Sequence, residues 1–145
     1  MMKKLGTLGL LLAALALLVV ACGPATSVPD ESAVLGYARN ADGYADITAE
    51  QLADLVEKEE VTLVNVHVPY EGEMPDTDLF IAYDEISDHL DDLPAKNVPI
   101  VLYCRSGGMS TSAAQELADL GYSNVLEVDG GFNAWKAAGY ELLQK

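Results

Sequence analysis

Cysteine is scarce in this chain: Cys22 and Cys104 are the two in 145 residues. They cannot form a disulfide framework, and a dithiol redox cycle, which needs a resolving cysteine beside the reactive one, has no second thiol if Cys22 is otherwise used. Basic residues are equally few. Eight Lys and Arg stand against 23 Asp and Glu, a formal net charge of −15. Such a chain is a poor binder of nucleic acid or of anionic lipid headgroups, and the acids are best placed on a solvated face. Histidine occurs twice, as His67 and His89. Two isolated histidines and one thiol do not have metal-ligand spacing, so no metal and no cofactor is expected. The apolar run from Leu8 to Val20 is 13 residues long, short of the ~20 needed to span a bilayer. No internal repeat or low-complexity tract is present.

That apolar run is read as a targeting segment. Lys3 and Lys4 precede it as a positive n-region, and it ends Val19-Val20-Ala21-Cys22. This resembles the bacterial lipoprotein lipobox, in which the cysteine becomes lipidated and N-terminal after cleavage. The expectation is therefore a signal peptide over 1–21, lipidation at Cys22, a tether over 22–43 and a folded domain over 44–145. Export and attachment to the membrane surface through lipid alone follow, since two acyl chains hold a protein stably at ~0.8 kcal/mol per buried CH₂. Without Lys3 and Lys4 the remaining chain has 23 acids against 6 bases, a net −17.

The domain reads as strands alternating with helices. Thr48-Ala49-Glu50-Gln51 has the capping-box form, and Ile47 and Leu52 are spaced as a hydrophobic staple across it. Leu52, Leu55 and Val56 continue an i, i+3, i+4 stripe, which predicts a helix over 48–58. Val61 to Val66 is β-rich and mostly apolar, as is Leu79 to Ala82. Asp84 is placed to cap a helix carrying Ile86, Leu90 and Leu93, stopped by Pro94, although Asp91 and Asp92 oppose its dipole. Ile100 to Tyr103 reads as a third strand. Residues 110–120 form an amphipathic helix with Ala113, Ala114, Leu117 and Ala118 inward and Gly121 as its C′ residue. Val125 to Val128 is a fourth strand, and Gly130-Gly131 opens a last helix with Trp135 in the core. His89 belongs on the acidic surface. This alternation predicts an α/β fold, a mostly parallel sheet with helices on both faces. Ligands then sit beyond the carboxyl ends of the strands, where Cys104 lies.

Cys104-Arg105-Ser106-Gly107-Gly108-Met109 joins the buried strand to the next helix. The two glycines allow successive backbone N–H groups to curl around one point, making an anion nest above the sulfur. A thiolate there gains from the helix N-terminus as well. Arg105 adds a fixed charge, Ser106, Ser110 and Thr111 add hydroxyls, and Ser110 is also placed to cap the helix. Met109 reads as a pocket wall and His67 as a residue of the pocket rim.

On these residues the chain resembles a rhodanese-like sulfurtransferase domain. The motifs are Leu102-Tyr103-Cys104-Arg105-Ser106-Gly107 and the run from Gly130 to Gly139 with its paired glycines, Ala134-Trp135 and Ala138-Gly139. The resemblance spans about Tyr44 to Leu143. It implies a three-layer domain with a five-stranded sheet, a short first strand at Tyr44-Ala45-Asp46, and a small sulfur-containing substrate. It also implies that Cys104 accepts a sulfane sulfur from thiosulfate, a polysulfide or a persulfide, and yields it to a nucleophilic acceptor such as cyanide or a thiol. Residues 104–110 are then the anion-binding loop.

Three departures stand out. Met109 occupies a loop position where this family often has arginine. Asn65-Val66-His67 stands for the frequent Asp-Val-Arg, and Glu71-Gly72-Glu73-Met74-Pro75-Asp76 for the usual Gly-His-Ile-Pro-Gly-Ala. These point away from thiosulfate and toward polysulfides or organic persulfides. A non-catalytic, sulfide-sensing or docking module is the alternative. A cysteine phosphatase would need arginine six residues after the cysteine, where Ser110 stands. The sequence names no protein partner and no oligomeric state.

Overall fold

The computed structural model describes residues 33–144. The expected signal peptide, Cys22 and the tether up to Ser32 lie outside the described residues. The rest of the expected tether is folded. β1 (Ala33–Val34) and β2 (Tyr37–Ala38) form an antiparallel hairpin. Val34 is fully buried, and Tyr37 packs against the same core. Packing therefore begins before Tyr44. Short-range periodicity cannot show this, because the contacts that bury Val34 come from distant segments.

β3 (Ala45–Ile47) starts one residue later than expected, and it leads directly into α1 (Ala49–Lys58). The helix begins as the sequence dictates. The Gln51 N–H donates to Thr48 Oγ1 at 3.2 Å, and the Thr48 N–H donates to Gln51 Oε1 at 2.8 Å, so two otherwise unpaired amides satisfy each other's side chains. Ile47 and Leu52 bury in the same core. β4 (Thr62–Asn65) follows, then β5 (Leu79–Phe80), half the length expected.

The helix expected after Asp84 is a single 3₁₀ turn over Ile86–His89, with no side-chain cap. Ile86 and Leu93 are its buried anchors. Five acids between Asp84 and Asp92, two of them at the end where the helix dipole is negative, leave little to favour longer helix. β6 (Ile100–Tyr103), α2 (Gly108–Asp119), β7 (Val125–Val128) and α3 (Gly131–Ala137) complete the chain order. Gly121 closes α2 at φ +88. Its N–H reaches the Ala118 carbonyl and that of Tyr122 reaches Leu117, both at 3.0 Å, a Schellman closure.

The five-stranded sheet runs β3-β7-β6-β4-β5 with every neighbouring pair parallel. Strand alternation divides its two faces. Leu63, Val101, Tyr103, Leu126 and Val128 join Leu52 and Leu55 of α1 and Phe132 and Trp135 of α3. Val64, Ile100, Leu102 and Val125 join Ala113, Ala114 and Leu117 of α2 and Ile86. The same alternation puts Glu127 of β7 on the α2 side. Each fully buried Leu, Ile or Phe contributes roughly 1.5–3 kcal/mol. His89 lies on the surface, paired with Asp92, and Trp135 is 5% exposed in the core. Among the described residues no helix is long and apolar enough to cross a membrane.

Candidate functional site

β6 is the middle strand of the sheet, and Cys104 is the first residue past its carboxyl end. Two neighbours hold the loop that follows. Gly107 has φ +102, a conformation that a side chain strains. That turn brings the Gly107 N–H to 3.2 Å from Cys104 Sγ and starts α2 at the next residue. On the other side α3 grips the loop. The Phe132 N–H donates to the Cys104 carbonyl at 2.9 Å and the Asn133 N–H to the Arg105 carbonyl at 3.1 Å. Gly131 makes this approach possible, since a Cβ there would lie 2.0 Å from the Cys104 carbonyl oxygen. The two glycine-containing motifs, far apart in sequence, are thus one structure.

The loop turns its donors toward the sulfur. Besides the Gly107 amide, Ser110 Oγ lies 3.3 Å from Sγ. Burial pushes the Cys104 thiol up. The Ser110 hydroxyl and the backbone N–H groups of Ser110, Ser106 and Gly107 together outweigh it, leaving the thiol below its ordinary value. Cys104 is 2% exposed and packs beside the α2-face core. It nevertheless lies at the base of an open pocket of about 320 Å³, walled by His67, Tyr83, Arg105, Ser106, Met109 and Ser112. A small molecule can therefore meet a sulfur that bulk water barely touches.

The rim carries a chain of polar contacts through Glu71. Arg105 Nη1 lies 3.2 Å from Glu71 Oε1, and His67 Nε2 lies 3.1 Å from Glu71 Oε2. Glu71 therefore engages the one permanent cation among the described residues that line the pocket. His67 is held from behind: its N–H donates to Asn65 Oδ1 at 3.0 Å, and the Asn65 amide donates to the Gly72 carbonyl at 3.0 Å. Asn65 is fully buried, so this residue ties β4 to the acidic segment rather than facing the pocket.

The expected site residues divide into two groups. Cys104, Arg105, Ser106, Gly108, Met109 and His67 line the pocket. Gly107 and Ser110 sit beneath the sulfur. Ser110 is not the helix cap expected of it, because α2 begins two residues earlier with Gly107 as N-cap. Its hydroxyl points instead into the core, toward Sγ, the Gly107 carbonyl at 3.0 Å and Glu127 Oε1. Glu127 was not anticipated. It is 2% exposed, and burial pushes its carboxyl up to about 7, with the Ser110 hydrogen bond opposing and Asp46 and Asp129 adding to the rise. Its signal was present as a lone acid inside an otherwise apolar buried strand. Tyr83 and Ser112 were missed as well, and neither carries a sequence mark.

A parallel α/β sheet with a cysteine in an amide-lined loop at its central carboxyl end defines a class of domain, and the family comparison matches it. Residues 48–138 match the rhodanese-like domain model, and the chain belongs to that family. A sulfurtransferase of Allochromatium vinosum is 34% identical over 102 residues, covering 68% of this chain and 94% of that one. The thiosulfate sulfurtransferase GlpE of Pseudoalteromonas translucida is 29% identical over 109 residues, 70% of this chain and 98% of its own. Among solved structures, a rhodanese-like domain protein from Staphylococcus aureus superposes with a TM-score of 0.57 at 30% identity, covering 68% of this chain and 98% of that one. A thiosulfate sulfurtransferase from Pseudomonas aeruginosa gives 0.59 at 30% identity, over 70% of this chain and 20% of its own.

Proposed function

We propose that this protein is a sulfurtransferase in which Cys104 carries one sulfane sulfur, working outside the cytoplasm on a lipid anchor at Cys22. The observation that carries this reading is the set of donors converging on Cys104 Sγ at the base of an open pocket. A persulfide's outer sulfur is anionic near neutral pH, so an amide-lined cup favours both the resting thiolate and the loaded enzyme. No general base is needed, because the nucleophile of each step is already ionised.

In the first step the Cys104 thiolate attacks the outer sulfur of a donor R–S–S⁻. A new S–S bond forms on the enzyme, the donor's S–S bond breaks, and R–S⁻ leaves with the electron pair. In the second, a thiolate or cyanide attacks the outer sulfur of the persulfide. The enzyme S–S bond breaks and Cys104 departs as thiolate. Charge and sulfur balance in both, and one cysteine suffices.

The pocket argues for the donor class. Thiosulfate presents a doubly charged group that calls for cations. Here Glu71 occupies Arg105, Met109 offers a thioether, and Tyr83 adds a ring. Organic persulfides carry less charge, and polysulfides spread theirs along a polarisable sulfur chain, so both suit such walls better. A non-catalytic sulfide-binding module is the second reading, favoured by Met109 alone. Thiocyanate formation from cyanide, run with thiosulfate, a polysulfide and an organic persulfide, tests the proposal. Turnover above the Cys104→Ala background, highest with the persulfide or polysulfide, is expected. Activity that survives Cys104→Ala overturns the mechanism, and a clear thiosulfate preference overturns the donor class.

A further inference from the structure

We propose that Glu127 is a positioning residue for Cys104, setting through Ser110 whether the sulfur receives a hydroxyl proton. The inference rests on Cys104 being the reactive thiol, and it concerns control of that thiol rather than the sulfur transfer itself.

Geometry makes the case. Ser110 Oγ has one proton and three acceptors in reach: Cys104 Sγ at 3.3 Å, the Gly107 carbonyl at 3.0 Å, and Glu127 Oε1. All three side chains are buried, at 2% for Cys104, 0% for Ser110 and 2% for Glu127. Bulk water therefore offers Ser110 and Glu127 little alternative to these partners. With Glu127 protonated, its carboxyl donates to Ser110 Oγ, and the Ser110 proton is free to point at the sulfur. The thiolate then has a hydroxyl donor as well as the Gly107 amide. With Glu127 ionised, the carboxylate accepts the Ser110 proton. The sulfur loses that donor and gains a negative neighbour one residue away. Thiolate and carboxylate thus oppose each other across a single hydroxyl, and the site favours one negative charge, not two.

The surroundings keep that charge on sulfur. From α2, Ser110 faces Glu127. From β3, Asp46 bears on it, and from the turn after β7, Asp129, both acidic and both disfavouring a carboxylate. Tyr44, ahead of β3, lies in the same field. On the Cys104 side, the charged group is Arg105 at the rim, already paired with Glu71. The thiolate has the loop amides and Glu127 has no comparable set, so sulfur is favoured, yet the two ionisations overlap and each raises the pH at which the other occurs.

Iodoacetamide alkylation of Cys104, followed against pH on the full folded protein, tests this without requiring any sulfur transfer. The variants are Glu127→Gln, Ser110→Ala and the double substitution. Glutamine keeps the shape and donates to Ser110 Oγ at every pH. It is expected to lower the apparent thiol pKa by about one unit and to turn a broad wild-type profile into a single ionisation. In the Ser110→Ala background the same substitution is expected to shift the profile less than half as far. An unchanged profile in Glu127→Gln, or an equal shift with and without Ser110, overturns the proposal. A second measurement covers variants that fold poorly. The Glu127 carboxyl, followed by ¹³C NMR, is expected to titrate in one simple step in Cys104→Ser and in a broadened, upshifted curve in wild type. Identical curves overturn the proposal. Failure of sulfur transfer with this coupling intact would sink the enzyme reading and leave the Glu127 role standing.

Discussion

The two faces of the sheet treat buried polar groups in opposite ways. On the α1 and α3 side, three such groups are tied to backbone. Asn65 bonds the Gly72 carbonyl and the His67 N–H, the Met74 N–H donates to the Tyr103 hydroxyl at 3.0 Å, and the Trp135 indole donates to the Glu141 carbonyl at 3.0 Å. These bonds have one arrangement each, so they stiffen the fold. On the α2 side, Cys104, Ser110 and Glu127 bond chiefly to one another. Their protons can be redistributed without moving the backbone. A backbone-anchored polar group makes structure; a side-chain cluster with a shared proton makes a site that responds to pH and to charge.

The largest effect should come from breaking the stiff face. Trp135, 5% exposed and stacked on Tyr140 at 4.3 Å, is expected to cost about 3–5 kcal/mol when changed to alanine. Urea unfolding reads the loss. The alkylation profile of whatever protein remains folded should keep its wild-type shape, because α3 holds the Cys104 loop through the backbone N–H groups of Phe132 and Asn133 and not through the Trp135 side chain. A displaced thiol pKa in that variant would blur the division between the faces.

The next effect belongs to the responsive face. Glu127 holds its proton in the folded state up to about pH 7, whereas its ordinary value is 4.5. Its favourable contribution to folding is therefore complete below pH 4.5 and is lost as pH rises through 7. Relative to wild type, Glu127→Gln should gain stability across that window by on the order of 2 kcal/mol. Chemical unfolding at pH 4.5 and at pH 8 measures the difference. A constant gap at both pH values would place Glu127 among the merely structural groups.

Much of this contrast was readable before any coordinates. Thr48 and Gln51 announced the start of α1, and Gly121 the end of α2, because caps are local chemistry. The position of Cys104 followed from a strand running into Gly107 and Gly108. What stayed hidden depends on distance. Glu127 meets Ser110 across 17 residues of sequence, a pairing that the local pattern of Val125 to Val128 does not encode. Glu71 was seen as part of an acidic segment, but its pairing with Arg105 spans 34 residues. Val34 is buried by elements that follow it. Asp84 failed as a cap because the helix it would serve had too little apolar surface and too much negative charge to extend.

The smallest effect lies at the rim. The Arg105–Glu71 pair is solvent-exposed on both sides, at 55% and 39% of their side chains, so it contributes at most about 1 kcal/mol. Glu71→Gln should free Arg105 and lower the KM for thiosulfate by no more than about fivefold, with little change for an organic persulfide. Steady-state kinetics with both donors decide it. An equal response to both donors would remove the rim from any account of donor choice.

The most direct test of the central claim is the intact mass of the protein after exposure to a polysulfide and removal of excess donor. The account predicts a gain of one sulfur atom, absent in Cys104→Ala and discharged by cyanide with release of thiocyanate. A mass unchanged by every donor, on folded protein whose Cys104 still alkylates, would contradict it.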